Sequence, residues 1–239
     1  SPDGLSVFFR DITERKKLEK EMARLDRLNL VGQMAAGIGH EIRNPMTSIR
    51  GFLQILSGKS ECDHYREYFD LMIEARDGAN AIVPEFLSMA RNKTAEMHLC
   101  NINLIVEAIS PLLTADAFNS KTDMVFELGE VPEIPLDEKE IRQLIMNLAR
   151  NGMEAMTRGG RLTIKTFREG DEVVLAVQDQ GAGIDNEVME SIGVPFFTTK
   201  ENGTGLGLAT CYGIAARHNA NIQLETGPSG TIFSVRFSI

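Results

Sequence analysis

Two asparagines, an aspartate and three spaced glycines carry the clearest chemical signal in this chain of 239 residues. Asn147 and Asn151 are four positions apart, so on a helix they share one face. Amide oxygens placed this way can complete the shell of a magnesium ion that also takes phosphate oxygens and water. Asp179 begins the run Asp179-x-Gly181-x-Gly183 at the end of a predicted strand. It has the parity of Val173, Leu175 and Val177, so it tends inward, where a carboxylate needs a donor. Gly181 and Gly183 allow a tight turn and the close approach of another group. Gly203-x-Gly205-x-Gly207 opens a predicted helix, whose exposed first amides and positive end suit phosphate. This glycine run is not a P-loop, because the Gly-Lys-Ser/Thr ending is missing. A dinucleotide fold does not fit either, since no strand leads straight into it.

A second centre is His40. It lies two positions from both Ile38 and Ile42, about 200° around a helix, and so projects away from their apolar stripe. A neutral imidazole, with an ordinary pKa of about 6.5, is a competent nucleophile at neutral pH. Glu41 is close enough to act as general base for the other ring nitrogen. Asn44 and Thr47 follow one and two turns along the same face. Pro45 lacks the amide that would bond to the Glu41 carbonyl, which bends the helix beside His40. A zinc-protease reading fails, because Asn44 stands where that motif requires a second histidine.

These groups need a scaffold, and the hydrophobic spacing supplies one. From Thr13, a candidate N-cap, apolar residues recur at helical intervals through Leu18, Met22, Leu25, Leu28, Ala35, Ile38, Ile42, Ile49, Leu53 and Leu56. Gly58-Lys59-Ser60 breaks that stripe, and a second helix is predicted from Tyr65 to Asn92. A single helical hairpin leaves an apolar face uncovered, and two copies pair into a four-helix bundle. A homodimer is therefore expected. Beyond about Ala95 the spacing predicts helices over 104–118, 137–156 and 207–218, with Pro111 a possible kink. Strands are predicted over 124–128, 161–167 and 172–178, the last two as a hairpin turning at Glu169-Gly170-Asp171. A C-terminal strand places Phe233, Val235, Phe237 and Ile239 on one face. That alternation implies a sheet with one face covered by helices. The fold class is α+β: a helical hairpin forming a dimeric bundle, then an α/β sandwich.

Bulk composition narrows the partners. A net charge of −9 argues against binding a nucleic-acid backbone. Three widely spaced cysteines predict neither a disulfide framework nor a zinc site. No apolar run approaches the roughly 20 residues needed to span a bilayer, and no signal peptide is visible, so this segment is expected in the cytoplasm, with membrane anchoring of a longer parent left open.

Taken in order, the motifs resemble the catalytic core of bacterial sensor histidine kinases over nearly the whole chain. Gly37-Ile38-Gly39-His40-Glu41-Ile42-Arg43-Asn44-Pro45 looks like the H-box. The segment from Asn147 to Ala155 looks like the N-box, except that Gly152 replaces the usual alanine. Pro195-Phe196-Phe197-Thr198-Thr199-Lys200 resembles the F-box and ATP lid. The resemblance implies autophosphorylation of His40 from Mg-ATP and transfer to an aspartate of a response-regulator receiver domain. Glu41 would be the general base, and Asn44 would orient water for a phosphatase side-activity. ATP would be bound by Asn147, Arg150, Asn151, Asp179, Gly181, Gly183, Ile184, Phe197, Lys200 and the run Gly203, Thr204, Gly205, Leu206, Gly207, Leu208, with Asn147 and Asn151 on the magnesium. In similar sites the aspartate accepts from the adenine amine. The domains implied are a PAS-like sensor remnant over 1–12, dimerisation and phosphotransfer helices over 13–95, and an ATP-binding domain of the kinase, gyrase and chaperone type over 96–239. An upstream sensor and a protein inhibitor on the helices are further implied partners. The H-box and lid look most like the sporulation and nitrogen-regulation branches. Two rival readings are an ATPase of the gyrase and chaperone superfamily, which places a glutamate at the position of Asn147, and a non-enzymatic docking scaffold.

Overall fold

The structure is a computed structural model that describes residues 45–59, 64–73, 95–200 and 203–239. His40, Glu41 and Asn44, the sensor-like segment 1–12 and the predicted helical stretches 13–44 and 74–92 lie outside the described residues. Helix α1 covers 45–57 and stops at Gly58, whose amide donates to the Gln54 carbonyl at 3.3 Å; helix α2 covers 66–73. Leu53 and Phe69 are buried, whereas Ile49, Phe52, Ile55, Tyr68, Leu71 and Met72 stand exposed. No helix among the described residues is long and apolar enough to cross a membrane.

The rest of the chain builds a mixed five-stranded sheet with its helices on one face. Strands β1 (His98–Cys100) and β3 (Ile134–Leu136) form a separate antiparallel pair. The main sheet runs β2 (Thr122–Leu128), β4 (Gly160–Glu169), β5 (Glu172–Gln178), β7 (Gly230–Ser238), β6 (Asn221–Gly227). Only β2–β4 is parallel, and the other three pairings are antiparallel. In register, Val173, Leu175 and Val177 oppose Phe237, Val235 and Phe233. These six meet helices α3 (Ile102–Asn119), α4 (Glu138–Ala155) and α6 (Gly207–Arg217) in one core, while α5 (Asn186–Met189) is a single turn outside it.

Helix α4 positions the site, and its sequence explains why it starts where it does. Asp137 sits in extended conformation and its carboxylate accepts from the amides of Lys139 and Glu140, while Glu138 and Glu140 favour the positive helix end. Ile141, Leu144, Ile145 and Leu148 follow at helical spacing and are buried, each stabilising the fold by about 1.5–3 kcal/mol relative to exposure. Asn147 and Asn151 share the neighbouring face. Helix α3 is longer than predicted and passes through Pro111. A proline there cannot donate to the Glu107 carbonyl, and the Ser110 hydroxyl donates to that oxygen at 2.9 Å instead.

The C-terminal alternation holds for Phe233, Val235 and Phe237, which are buried. Ile239 departs from it: it falls past the end of β7 and is 53% exposed, with no strand partner to cover it. Strands β1, β3 and β6 and helix α5 were not predicted.

Candidate functional site

The C-terminal half of α4, the end of β5, residues 182–200 and 203–205 and the start of α6 enclose a cavity of about 720 Å³. Thirteen of the fifteen residues predicted to bind nucleotide line it. Asn147, Arg150 and Asn151 come from α4, and Asp179 from the end of β5. Gly183, Ile184, Phe197, Lys200, Gly203, Thr204 and Gly205 come from the loop, and Gly207 and Leu208 from α6. The remaining two sit behind the wall. The Gly181 amide donates to Asp179 Oδ1 at 2.8 Å, and Leu206 is fully buried at the N-cap position of α6.

Asp179 is 5% exposed. Burial raises the pKa of its carboxyl, opposed by the amides of Gly181 and Thr231 and by the charge of Lys200. Both amides donate to Oδ1, the second at 3.2 Å. Oδ2 receives no donor from the described residues, so it is an acceptor left for a ligand. The Asp179 amide in turn donates to the Thr231 carbonyl at 2.9 Å, locking the carboxylate to β7. Thr231 also meets Thr226 hydroxyl to hydroxyl at 3.1 Å, and Thr226 Oγ1 accepts from the Ile184 amide at 2.8 Å. This chain ties the Asp179 turn to the start of the loop. Gly183 is held there at φ +79°, where an added Cβ would stand 2.2 Å from the Gly227 carbonyl oxygen.

The phosphate-suited side is built by α6. No side chain caps its start, so the first amides of the helix remain without a side-chain acceptor. Gly207 faces the asparagines: a Cβ on it would stand 3.9 Å from both Asn147 Cγ and Asn151 Nδ2. Asn147 Nδ2 donates to the Gly207 carbonyl at 3.2 Å, which fixes its amide across the helix pair. Asn151 Nδ2 is buried and has no partner among the described residues. Behind them Cys211 is fully buried, and burial pushes its thiol up to about 12, so it is a packing residue and not a nucleophile.

The loop carries Lys200 back onto α4. Its ammonium pairs with Glu154 Oε2 and reaches Asn151 Oδ1 at 3.4 Å. Phe196, itself at φ +66°, donates its amide to the Gly205 carbonyl at 3.0 Å and closes the loop base. Arg150 pairs with Asp116 of α3 at 3.6 Å. Sequence reasoning missed Glu154 and Thr231, both on the cavity wall. Glu154 was findable, since it lies three residues past Asn151 on the same helical face. Among the described residues no group of three or more His, Cys, Asp or Glu side chains could hold a metal ion. A divalent cation in this cavity would rest on the two amides and on a ligand's own oxygens, a donor set that suits magnesium.

The comparisons agree with this architecture. Residues 136–239 match the family described as histidine kinase-, DNA gyrase B-, and HSP90-like ATPase, and residues 30–95 match the His Kinase A (phospho-acceptor) domain. Sporulation kinase E of Bacillus subtilis (strain 168) is 36% identical over 98% of this chain and 32% of its own length. The nucleotide-free catalytic domain of histidine kinase ThkA is 30% identical with a TM-score of 0.55, over 60% of this chain and 95% of that one. ThkA in complex with the response regulator protein TrrA is 29% identical with a TM-score of 0.65, over 96% of this chain and 68% of that one. The chain spans about a third to about half the length of the curated relatives it matches.

Proposed function

The chain belongs to the histidine kinases, and from that premise we propose that it binds Mg-ATP in the cavity beside α4 and passes the γ-phosphoryl group to His40. The observation that carries the nucleotide half is the convergence of one buried carboxylate, two amide side chains and one uncapped helix start on a single cavity. Asp179 Oδ2, which receives no donor from the described residues, accepts from the amino group of adenine and so favours adenine over guanine. The first amides of α6, with Lys200, take the phosphates. Asn147 and Asn151 would hold magnesium, which when bound neutralises phosphate charge. The gyrase and chaperone reading is less well supported, because the position at which those ATPases place a water-activating glutamate holds Asn147, bonded to Gly207.

At the other centre, one imidazole nitrogen of His40 attacks the γ-phosphorus. The bond to the bridging oxygen breaks towards ADP, and the proton on the second ring nitrogen passes to Glu41. Support comes from the match of 30–95 to the phospho-acceptor domain, which contains His40. The phosphoryl group then passes to an aspartate of a response regulator, and Asn44 orients water when the flow runs in reverse. The exposed apolar residues of α1 and α2 favour a homodimer built by a second copy of this hairpin. A PAS-like sensor preceding Thr13 would act on these helices. A titration of Mg-ADP tests the nucleotide half. Binding to wild type and to His40→Gln is expected to be equal and to be lost in Asn151→Ala; equal binding by Asn151→Ala would contradict it.

A further inference from the structure

Lys200 is expected to serve the phosphates, yet its charge is already engaged. Its ammonium lies against Glu154 and Asn151, one turn apart on α4. The backbone around it is pinned, with the Lys200 amide donating to Thr198 Oγ1 at 3.1 Å and its carbonyl accepting from Gly203 at 3.2 Å. Asn147, Asn151 and Glu154 fall within about 60° on α4, so the carboxylate borders the same space as the two amides. Among the described residues, the charged side chains on the cavity wall are Arg150, Glu154, Asp179 and Lys200, and Arg150 already pairs with Asp116. A nucleotide phosphate must therefore take Lys200 from Glu154, and doing so leaves that carboxylate unpaired beside an anion.

We propose that Glu154 is a positioning residue that holds Lys200 on α4 until phosphate displaces it, making phosphate capture depend on a divalent cation. This rests on the nucleotide reading above. When Lys200 leaves, Asn151 Oδ1 is released together with Glu154, so the oxygens that face a cation become available in the same step that a phosphate gains its lysine. Without a cation, Glu154 and the phosphates repel each other, and binding is weak. With one, the repulsion is neutralised. Glu154 thus sets the order of preference between metal-free and metal-bound nucleotide without needing to touch the base or ribose.

The test is Glu154→Gln, which keeps shape and removes charge at an exposed position, so folding is preserved. ADP is titrated into the 239-residue chain in EDTA and in magnesium chloride, and the reactivity of the Lys200 amine towards acetic anhydride is read by mass spectrometry. In EDTA the variant should bind ADP about two- to fivefold more tightly than wild type, the size of a partly screened charge pair. The gain should shrink in magnesium. Lys200 of the ligand-free variant should acetylate faster than in wild type, and ADP should protect it in both. In a Lys200→Met background the gain in EDTA should be smaller, reduced to the part that relieves repulsion between Glu154 and the phosphates. Weaker Mg-ADP binding by Glu154→Gln would mean that Glu154 serves the ligand directly, and unchanged affinity with unchanged acetylation would mean that it holds nothing. Either result overturns the inference. A wild-type chain that binds no ADP at all would instead contradict the proposed function.

Discussion

Gly152 of α4 backs directly onto Asp179: a methyl group on Gly152 would stand 3.2 Å from Asp179 Cβ and 2.5 Å from Leu162 Cδ1. The glycine that departs from the kinase pattern therefore sits in a tight helix–sheet contact, where an added methyl must displace the Leu162 side chain. Gly152→Ala gains up to about 1 kcal/mol of helix propensity and loses about 1–3 kcal/mol to overpacking against the fully buried Leu162. The expected result is a small net loss of stability with a clear loss of ADP affinity as Asp179 is pushed. Thermal unfolding and ADP titration of the variant check both.

Asp179 should also set the pH dependence of binding. Burial raises its folded pKa above the ordinary carboxylate value, so on acidification it takes its proton at a higher pH than a solvated aspartate. Protonation removes the acceptor, and adenine-nucleotide affinity should fall as the pH drops through that raised value. The same shift means that the fold loses stability as the pH rises from the unfolded to the folded pKa. Asp179→Asn should accordingly be no less stable at neutral pH. With Oδ1 still taking the Gly181 and Thr231 amides, it turns a donor towards the adenine amine, and affinity should fall about ten- to a hundredfold. Titrations from neutral to mildly acidic pH test this, and an affinity insensitive to pH in that range would count against the role.

The start of α4 gives a prediction that concerns stability alone. Burial by itself would raise the pKa of Asp137, but the amides of Glu96, Glu140 and Lys139 outweigh it and hold the carboxyl below its ordinary range. Its stabilisation is present above the unfolded pKa and is lost as the pH falls through the depressed folded value. Asp137→Ala should cost about 1–2 kcal/mol at neutral pH, read as a lower unfolding midpoint in urea, and the difference from wild type should close in strong acid.

Gly205 sits at φ +67°, and an added Cβ would stand 2.4 Å from the Phe196 carbonyl carbon. Gly205→Ala costs about 1–2 kcal/mol for the left-handed backbone alone and forces apart the Phe196–Gly205 closure. ADP affinity should drop, and the urea unfolding midpoint should fall by no more than that cost. Calorimetric titration together with urea unfolding separates the two effects.

What could be read from the sequence depended on range. The periodic Ile141, Leu144, Ile145 and Leu148 announced α4 because a stripe is a local signal. The hairpin of β4 and β5 was equally legible from Glu169-Gly170-Asp171. Strand β6 was not, because it is an edge whose Asn221, Gln223 and Glu225 face solvent, leaving Ile222 and Leu224 as its two half-buried apolar residues. Strands β1 and β3 have three residues each, too few to display a period. In the site, Asp179 and the glycines stood out by spacing. Thr231 did not, since its contact with Asp179 spans 52 positions and depends on the register of β7. Glu154 shares the helical face of Asn151, but its pairing with Lys200, which a loop brings to it from 46 positions away, has no local signal.

The central claim is that His40 receives phosphate from nucleotide held in the cavity beside α4. The direct measurement is incubation of the chain with γ-labelled ATP and magnesium, comparing wild type with His40→Gln. Label that enters wild type, survives alkali, is released by acid and is absent from His40→Gln is the predicted result. Equal incorporation into both proteins would contradict the account.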